Sequence, residues 1–539
     1  MLGACQLQSL LAHVGSLIRG IGGGCRPQSR LASAVLVLAV ASGCTVAPAP
    51  SPMVPEHWPT DRWRTASPES EGIDSGVLLE LLAFAAREDP GVHSLLIVRR
   101  GNLVFDAAFY PYDGDTPHDV ASVTKSVTTT LLGVALQVRA HGRLDQPIVE
   151  LLHRDPVPLD RARRAITLEH LAAMRSGLAC GFAPGEPELI AMTRSSDWVG
   201  FALDLPMSDP PGQRFAYCSP GTHLLSAAIT ELTGESAADF AALRLFAPMG
   251  IVPGDWPRDR AGLNHGWGDL RLHPRDMAKL GLLMLHDGEW NGGRLLPVGW
   301  VTTATRSRGA VGTGSDGYGL GWWISSGEFA GAFEARGRGG QRILVWPALD
   351  LVVVTTGAGF EPGVLVPFLS RALRSEAALP GNEARSRQLA DALAAARAGP
   401  AAVPTSLPEL AGRISGRTYA MEANPLGFER IGFDFQSDRG TLVLELSDAM
   451  GAGAAGCFSL NLGLDGRYRV TNAGPRGYAV ALRAAWRAPS GLDLDYVEPD
   501  GSNAFVMHAE FEADRIRLSV RDRTGLYGEH VMMGRVRKE

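Results

Sequence analysis

Apolar residues recur at helical spacing between Ser75 and Glu88, at Val77, Leu78, Leu81, Leu82, Phe84 and Ala85, and predict a helix. Two strand-like runs follow, His93 to Arg99 and Leu103 to Tyr110, joined across Arg100-Gly101-Asn102. Far downstream, Tyr318 to Ser325, Gln341 to Trp346 and Leu351 to Thr356 predict three more strands, the last two separated by a turn at Pro347-Ala348-Leu349-Asp350. A helix from Val364 to Ser375 completes that block. The two ends of the stretch combine into one antiparallel sheet with a helix from each packed on it. Between them, from Ser126 to Gly292, helical pattern broken by Gly and Pro reads as an inserted helical lobe.

The pattern changes after residue 377. Residues 378–408 are Ala- and Pro-containing, with a helical run from Arg385 to Arg397 and a break at Gly399-Pro400, and read as a linker. Residues 409–539 alternate apolar and polar positions in short runs, among them Phe428 to Phe435, Thr441 to Leu446, Ala479 to Trp486, Phe505 to Phe511 and Ile516 to Val520. Turns such as Leu464-Asp465-Gly466 and Asp500-Gly501 separate them, which predicts an all-β sandwich or barrel. As an appendage on a linker, this domain is expected to be separable from any chemistry in residues 71–377. The fold class is therefore α/β, an antiparallel sheet flanked by helices with an inserted lobe, followed by a β domain.

Composition narrows the function classes. With 539 residues, 45% apolar and 20% charged, the chain has ample material for globular cores, and its net charge of −6 leaves no electrostatic footprint for nucleic acid. Upstream of the folded pattern no acidic residue precedes Glu56, and Arg19, Arg26 and Arg30 lead into an apolar run from Leu31 to Ala41 that ends Ser42-Gly43-Cys44. That is the layout of an export signal over residues 1–44, too short to span a bilayer. The small residues before Cys44 resemble a bacterial lipoprotein box, which would make Cys44 a lipid anchor. Plain secretion is the alternative, and residues 45–70 form a Pro-rich tether. Export to the periplasm or a membrane-anchored lipoprotein is the expected localisation. Of the cysteines beyond the signal, Cys180 and Cys218 either pair in an oxidising compartment or remain two buried thiols, and Cys457 is left over.

Candidate chemistry begins at Ser122-Val123-Thr124-Lys125, the only Ser-x-x-Lys in the chain, at the head of a segment whose Val123, Val127, Leu131 and Val134 share a helical face. A serine hydroxyl is a weak nucleophile until a base takes its proton, and a lysine one turn away serves if its surroundings depress its pKa. The composition sharpens this point. Only Lys125, Lys279 and Lys538 are lysines among 51 cationic residues, so a chain that otherwise uses Arg keeps a deprotonatable amine here. Two further motifs follow in order: Tyr217-Cys218-Ser219 before Pro220-Gly221, and Arg338-Gly339-Gly340-Gln341 opening a strand, with glycines that allow close approach of a substrate.

Taken together, Ser-x-x-Lys, Tyr-x-Ser and a Gly-rich third motif, flanked by Ser176-Gly177-Leu178 and Tyr318-Gly319-Leu320-Gly321-Trp322-Trp323, resemble the serine β-lactamase and penicillin-binding-protein family, on its class C, esterase and 6-aminohexanoate-dimer-hydrolase side. The resemblance covers about Ile73 to Ala377. It implies Ser122 as nucleophile, Lys125 as its activating partner, Tyr217 as acid/base, and an oxyanion hole from the backbone N–H groups of Ser122 and Gln341. Ser219, Arg338, Gly339 and Gly340 are implied as substrate-binding. No cofactor and no metal are implied. Ser219 stands where the family often has Asn, and Arg338 where it usually has Lys or His, which weighs against β-lactam turnover more than against ester or amide hydrolysis.

His265-x-x-x-Asp269-x-x-x-His273 has metal-ligand residue types, but Gly266, Gly268 and Pro274 break the helix that would align them, so His265 and Trp267 are assigned to a loop lining the cleft. Three functions compete. The first is an exported hydrolase of small esters or linear amides. The second is a D,D-peptidase or β-lactamase acting on cell-wall peptide or β-lactams, and the third is a non-catalytic penicillin-recognising or envelope-binding protein. The partners expected are a small ester, amide or peptide substrate, and a membrane only through Cys44.

Overall fold

The structure, a computed structural model, describes residues 52–537 apart from 87–90, 139–141, 155–159, 182–184, 312–315, 404, 438, 448–454 and 488. The residues read as an export signal, 1–44, and Cys44, read as a lipid anchor, lie outside the described residues.

Helix α1 (Ser75–Ala86) precedes the hairpin β1 (Val92–Arg99) and β2 (Asn102–Ala108), as the periodicity predicts. The chain then leaves the sheet through α2 (Val123–Val138), α3 (Ser219–Thr233) and α4 (Pro274–Leu285), with shorter helices between them. It returns through β3 (Gly317–Tyr318), β4 (Trp323–Ile324), β5 (Phe333–Gly337), β6 (Gln341–Trp346) and β7 (Leu351–Gly357). The sheet order is β2-β1-β7-β6-β5-β4-β3, with antiparallel neighbours throughout.

All eight positions of β1 are buried because both faces of the sheet are covered. Leu95 and Ile97 pack with Leu78 and Leu81 of α1, whereas Leu96 and Val98 face the core shared with α2, α3 and α4. The run from Tyr318 to Ser325, read as one strand, is two short strands bent at Gly319–Gly321, where the backbone packs on Ala304 and Thr129. Strand β5, which carries the approach to the third motif, has no counterpart in the sequence reading. The segment read as a linker forms a helix, Glu383–Ala398, and its Leu389 is buried in the same core as α1.

Beyond it, the prediction of a sandwich or barrel resolves to a barrel. Among the described residues nine strands run from Arg417–Met421 to Glu529–Val536 in antiparallel neighbours, and a parallel pairing of Gly463 with Arg483 closes the ring. Arg469–Thr471 pairs on its outside. Strands such as Arg515–Asp522 bury alternate residues, so that Leu442, Leu444, Ile516, Leu518 and Val520 fill a core separate from that of the sheet domain.

Candidate active site

Ser122 immediately precedes α2, a helix whose residues from Val123 to Ala135 are all buried. The entry to the helix is held by short bonds: Thr124 Oγ1 donates to the Ala121 carbonyl at 2.7 Å, and Asp119 Oδ1 accepts from the Ala121 N–H at 2.8 Å. Ala121 has φ 46°, a left-handed conformation that a residue with a Cβ adopts only under constraint, one residue before the candidate nucleophile.

One turn on, Lys125 Nζ donates to Ser122 Oγ at 2.9 Å and to the Trp267 carbonyl at 2.9 Å. Lys125 is 2% exposed, and among the described residues no carboxylate is bonded to it. Burial lowers its pKa to about 8, against the upward pull of Glu186 and Asp269. Tyr217 is also buried; its hydroxyl is hydrogen-bonded to Ser122, and its ring lies 4.8 Å from Lys125 Nζ. Burial pushes the phenol well above its ordinary value. The structure thus brings Ser122, Lys125 and Tyr217 together, with Trp323, Tyr318 and Phe215 forming an aromatic wall beside them.

Ser219, the third residue of the second motif, bonds through its hydroxyl to Glu186 Oε2. Glu186 is the residue that sequence reasoning missed: it sits in no motif and enters from a loop with φ 47°. Cys218, between Tyr217 and Ser219, is disulfide-bonded to Cys180. Of the two readings left open for these cysteines, the bridge is the one observed, and it ties the Tyr217 segment to the loop after Ser176-Gly177-Leu178.

The third motif differs most from expectation. Arg338, Gly339 and Gly340 form the turn between β5 and β6, with Gln341 paired opposite Gly337. A Cβ on Gly339 would meet the Gly357 carbonyl at 2.8 Å, and one on Gly340 the Phe360 carbonyl at 2.7 Å, so these glycines make room for the protein's own backbone. The glycine that lets β5 approach the nucleophile segment is Gly337, where a Cβ would lie 2.6 Å from the Val120 carbonyl. The Gln341 side chain is directed into the sheet: Nε2 donates to the Gly357 carbonyl at 2.5 Å, and Oε1 accepts from its N–H at 3.1 Å. Arg338 does not present its guanidinium to the cleft. It donates to the barrel, at Ser502 Oγ (2.8 Å), Asn503 Oδ1 (2.9 Å) and Thr524 Oγ1 (3.1 Å). Its Gly neighbours supply the tight turn, and the barrel supplies protein acceptors where water would otherwise solvate the guanidinium.

His265 and Asp269 meet at 2.7 Å, and His265 stacks on Trp267 at 4.5 Å. His273 occupies the N-cap position of α4 without a side-chain capping bond, and among the described residues no cluster of three ligand types is present. Trp267, read as lining the cleft, contributes through its carbonyl to Lys125.

A 6-aminohexanoate-dimer hydrolase from Paenarthrobacter ureafaciens is 24% identical over 334 residues, which are 53% of this chain and 80% of that protein. Penicillin-binding protein 4 of Amycolatopsis lactamdurans is 28% identical over 169 residues, 30% of this chain and 42% of that one. Among solved structures, the octameric penicillin-binding protein homologue from Pyrococcus abyssi aligns with a TM-score of 0.45 and 17% identity, covering 86% of this chain and all of that one. The profile of the Beta-lactamase family matches residues 84–378, more than half of the chain and the span that holds Ser122, Lys125, Tyr217 and Arg338. The protein belongs to the Beta-lactamase family and is a serine hydrolase.

Proposed function

We propose that the protein is an exported hydrolase that forms an acyl-enzyme on Ser122 and cleaves small esters or linear amides. One observation carries the reading: a buried amine with a pKa of about 8 lies 2.9 Å from the Ser122 hydroxyl. In its neutral form Lys125 takes the Ser122 proton as Oγ bonds to the substrate carbonyl carbon. The proton passes by way of Tyr217, hydrogen-bonded to Ser122, to the departing alcohol or amine as the C–O or C–N bond breaks. Water then attacks the acyl carbon, gives its proton to the same pair, and Ser122 Oγ recovers a proton as the acid leaves. The backbone N–H groups of Ser122, just ahead of α2, and of Gln341, at the start of β6, are the proposed oxyanion donors.

Esters and linear amides rank above β-lactams. The hydroxyl of Ser219 is bonded to Glu186 and the guanidinium of Arg338 to the barrel, so neither is disposed toward a β-lactam carboxylate. The relative named a 6-aminohexanoate-dimer hydrolase supports the same ranking. Export, with lipidation at Cys44 as its anchored form, is supported by the amino-terminal pattern and by the Cys180–Cys218 bridge, which suits an oxidising compartment.

The test is intact-mass labelling with a fluorophosphonate and, separately, with a penicillin, followed by mapping of the adduct. A phosphonate on Ser122 with slow penicillin acylation is expected. An adduct elsewhere removes Ser122 as nucleophile, and rapid penicillin turnover promotes the β-lactamase reading.

A further inference from the structure

The loop Asp500-Gly501-Ser502-Asn503 of the barrel reaches both flanks of the candidate reaction centre. Ser502 and Asn503 are each 1% exposed. On one side, Ser502 Oγ accepts from Arg338 Nη2 at 2.8 Å, and Asn503 Oδ1 accepts from Arg338 Nη1 at 2.9 Å. On the other, Ser502 Oγ donates to Asp119 Oδ2 at 3.4 Å, the same oxygen that accepts from Tyr478 of the barrel at 3.2 Å. The Asp119 N–H also bonds the Asp500 carbonyl at 2.8 Å. The second oxygen of Asp119 holds the N–H of Ala121, the strained residue before Ser122. A single barrel hydroxyl therefore connects the entry of the nucleophile helix to the third-motif turn. Behind it the loop is itself braced: Asn503 Nδ2 donates to Glu498 at 2.6 Å, and Glu498 pairs with Arg476 at 2.8 Å.

We infer that the barrel completes the hydrolytic centre, with Ser502 and Asn503 as positioning residues that set Ser122 and the third-motif turn relative to each other through Asp119 and Arg338. This rests on the reading of Ser122 as nucleophile. The left-handed turn at Ala121 is held by a carboxylate whose other oxygen is satisfied from the barrel. Asp119 is 5% exposed, so without those donors its carboxylate would be buried and underbonded, and would turn toward other partners. Arg338 would likewise lose the acceptors that fix its turn. Neither change touches substrate, but both move the atoms that must align, and catalysis is steeply sensitive to such displacement.

The experiment uses the full-length protein with Ser502→Ala and Ser502→Thr, and Arg517→Ala as a barrel control, since Arg517 pairs with Glu510 at the other end of its strand from Asp522. Melting temperature, p-nitrophenyl butyrate kinetics and the rate of Ser122 phosphonylation are read for each. Ser502→Ala should keep a native melting transition while kcat and the labelling rate fall by roughly tenfold or more with KM nearly constant. Ser502→Thr, which keeps the hydroxyl, should recover most of the loss, and Arg517→Ala should match the parent. A folded Ser502→Ala protein that labels at the parent rate overturns the inference, as does a loss confined to melting temperature. Should Ser502→Ala fail to fold, Thr524→Val removes one Arg338 bond together with the threonine's own bonds to Asp522 and Leu526; slower labelling with a native melting transition supports the inference and parent-like labelling rejects it. A parent that takes no phosphonate and cleaves no ester overturns instead the hydrolase reading beneath it.

Discussion

Two cations flank the candidate site, and the structure treats them in opposite ways. Lys125, on the α2 side, is given a hydroxyl and a carbonyl as partners and, among the described residues, no bonded carboxylate, so burial lowers its pKa toward neutrality. Arg476, on the barrel side, keeps 17% of its side chain exposed and sits against Glu498 at 2.8 Å, and that carboxylate outweighs its partial burial to hold it firmly charged. Lys279, also buried, is paired with Asp276 at 3.0 Å. Burial alone therefore does not mark a base. What distinguishes Lys125 is burial without a carboxylate to keep the proton on, in a position where its lone pair meets a hydroxyl.

The strongest way to break this comparison is at the hydroxyl. Ser122→Ala should lower ester turnover by about 10⁴-fold or more, because no other group can form the acyl bond. The side chain contributes little to the core, so the fold should remain. A folded variant with near-parent turnover, measured with p-nitrophenyl butyrate, would assign the chemistry to another residue.

Next in size is the exchange of one cation type for the other. Lys125→Arg should be almost as inactive as Lys125→Ala, a loss of roughly 10³-fold, since guanidinium keeps its proton at every accessible pH. The comparison holds only if the two variants fall together. An Arg variant with most of the parent activity would mean that the positive charge, and not the lone pair, is what the site uses.

The disulfide gives a third contrast, between a covalent and a polar tie to the same site. Cys180 and Cys218 close a loop 38 residues long. Replacing both by Ser should cost about 3–4 kcal/mol of unfolding free energy in denaturant titrations. Turnover at low temperature should fall less than in Ser502→Ala, because Tyr217 and Ser219 retain their hydrogen bonds to Ser122 and Glu186. If the double Ser variant lost activity while keeping its stability, the bridge would be positioning Tyr217 directly.

Sequence reading found what is local. Ser122 and Lys125 are one helical turn apart, so the spacing itself predicts that they meet, and the scarcity of lysine marks the amine. The central hairpin and the last two sheet strands were legible because alternation and turn residues are contiguous. Glu186 and Ser502 were not legible because they reach Ser219 and Asp119 across 33 and 383 residues of chain, and Asp119, although adjacent to the Ser122 segment, sits in no spacing that chemistry demands. Strand β5 was hidden by the polar residues Glu334 and Arg336; Glu334 is buried, and it pairs there with Arg336 and Arg342. The barrel's bonds to Arg338 and Asp119 lay out of reach of the sequence for the same reason. A linker's composition reports its flexibility and says nothing of what the far end of the chain docks against.

The smallest expected effect is the most specific to the electrostatics. The charge of Glu186 favours the ammonium form of Lys125, opposing burial. In the parent, kcat/KM for a neutral ester should rise with pH as Lys125 loses its proton and level off above about 8. Glu186→Gln removes the charge while leaving an oxygen that can still accept from Ser219. The Lys125 pKa then falls further, more of the amine is neutral at any pH below the midpoint, and the rising limb moves to lower pH. Turnover in mildly acidic buffer should increase by a small factor with the alkaline plateau little changed. A limb that stays in place, or moves up, would show that Glu186 does not act on the amine and that its role ends at Ser219.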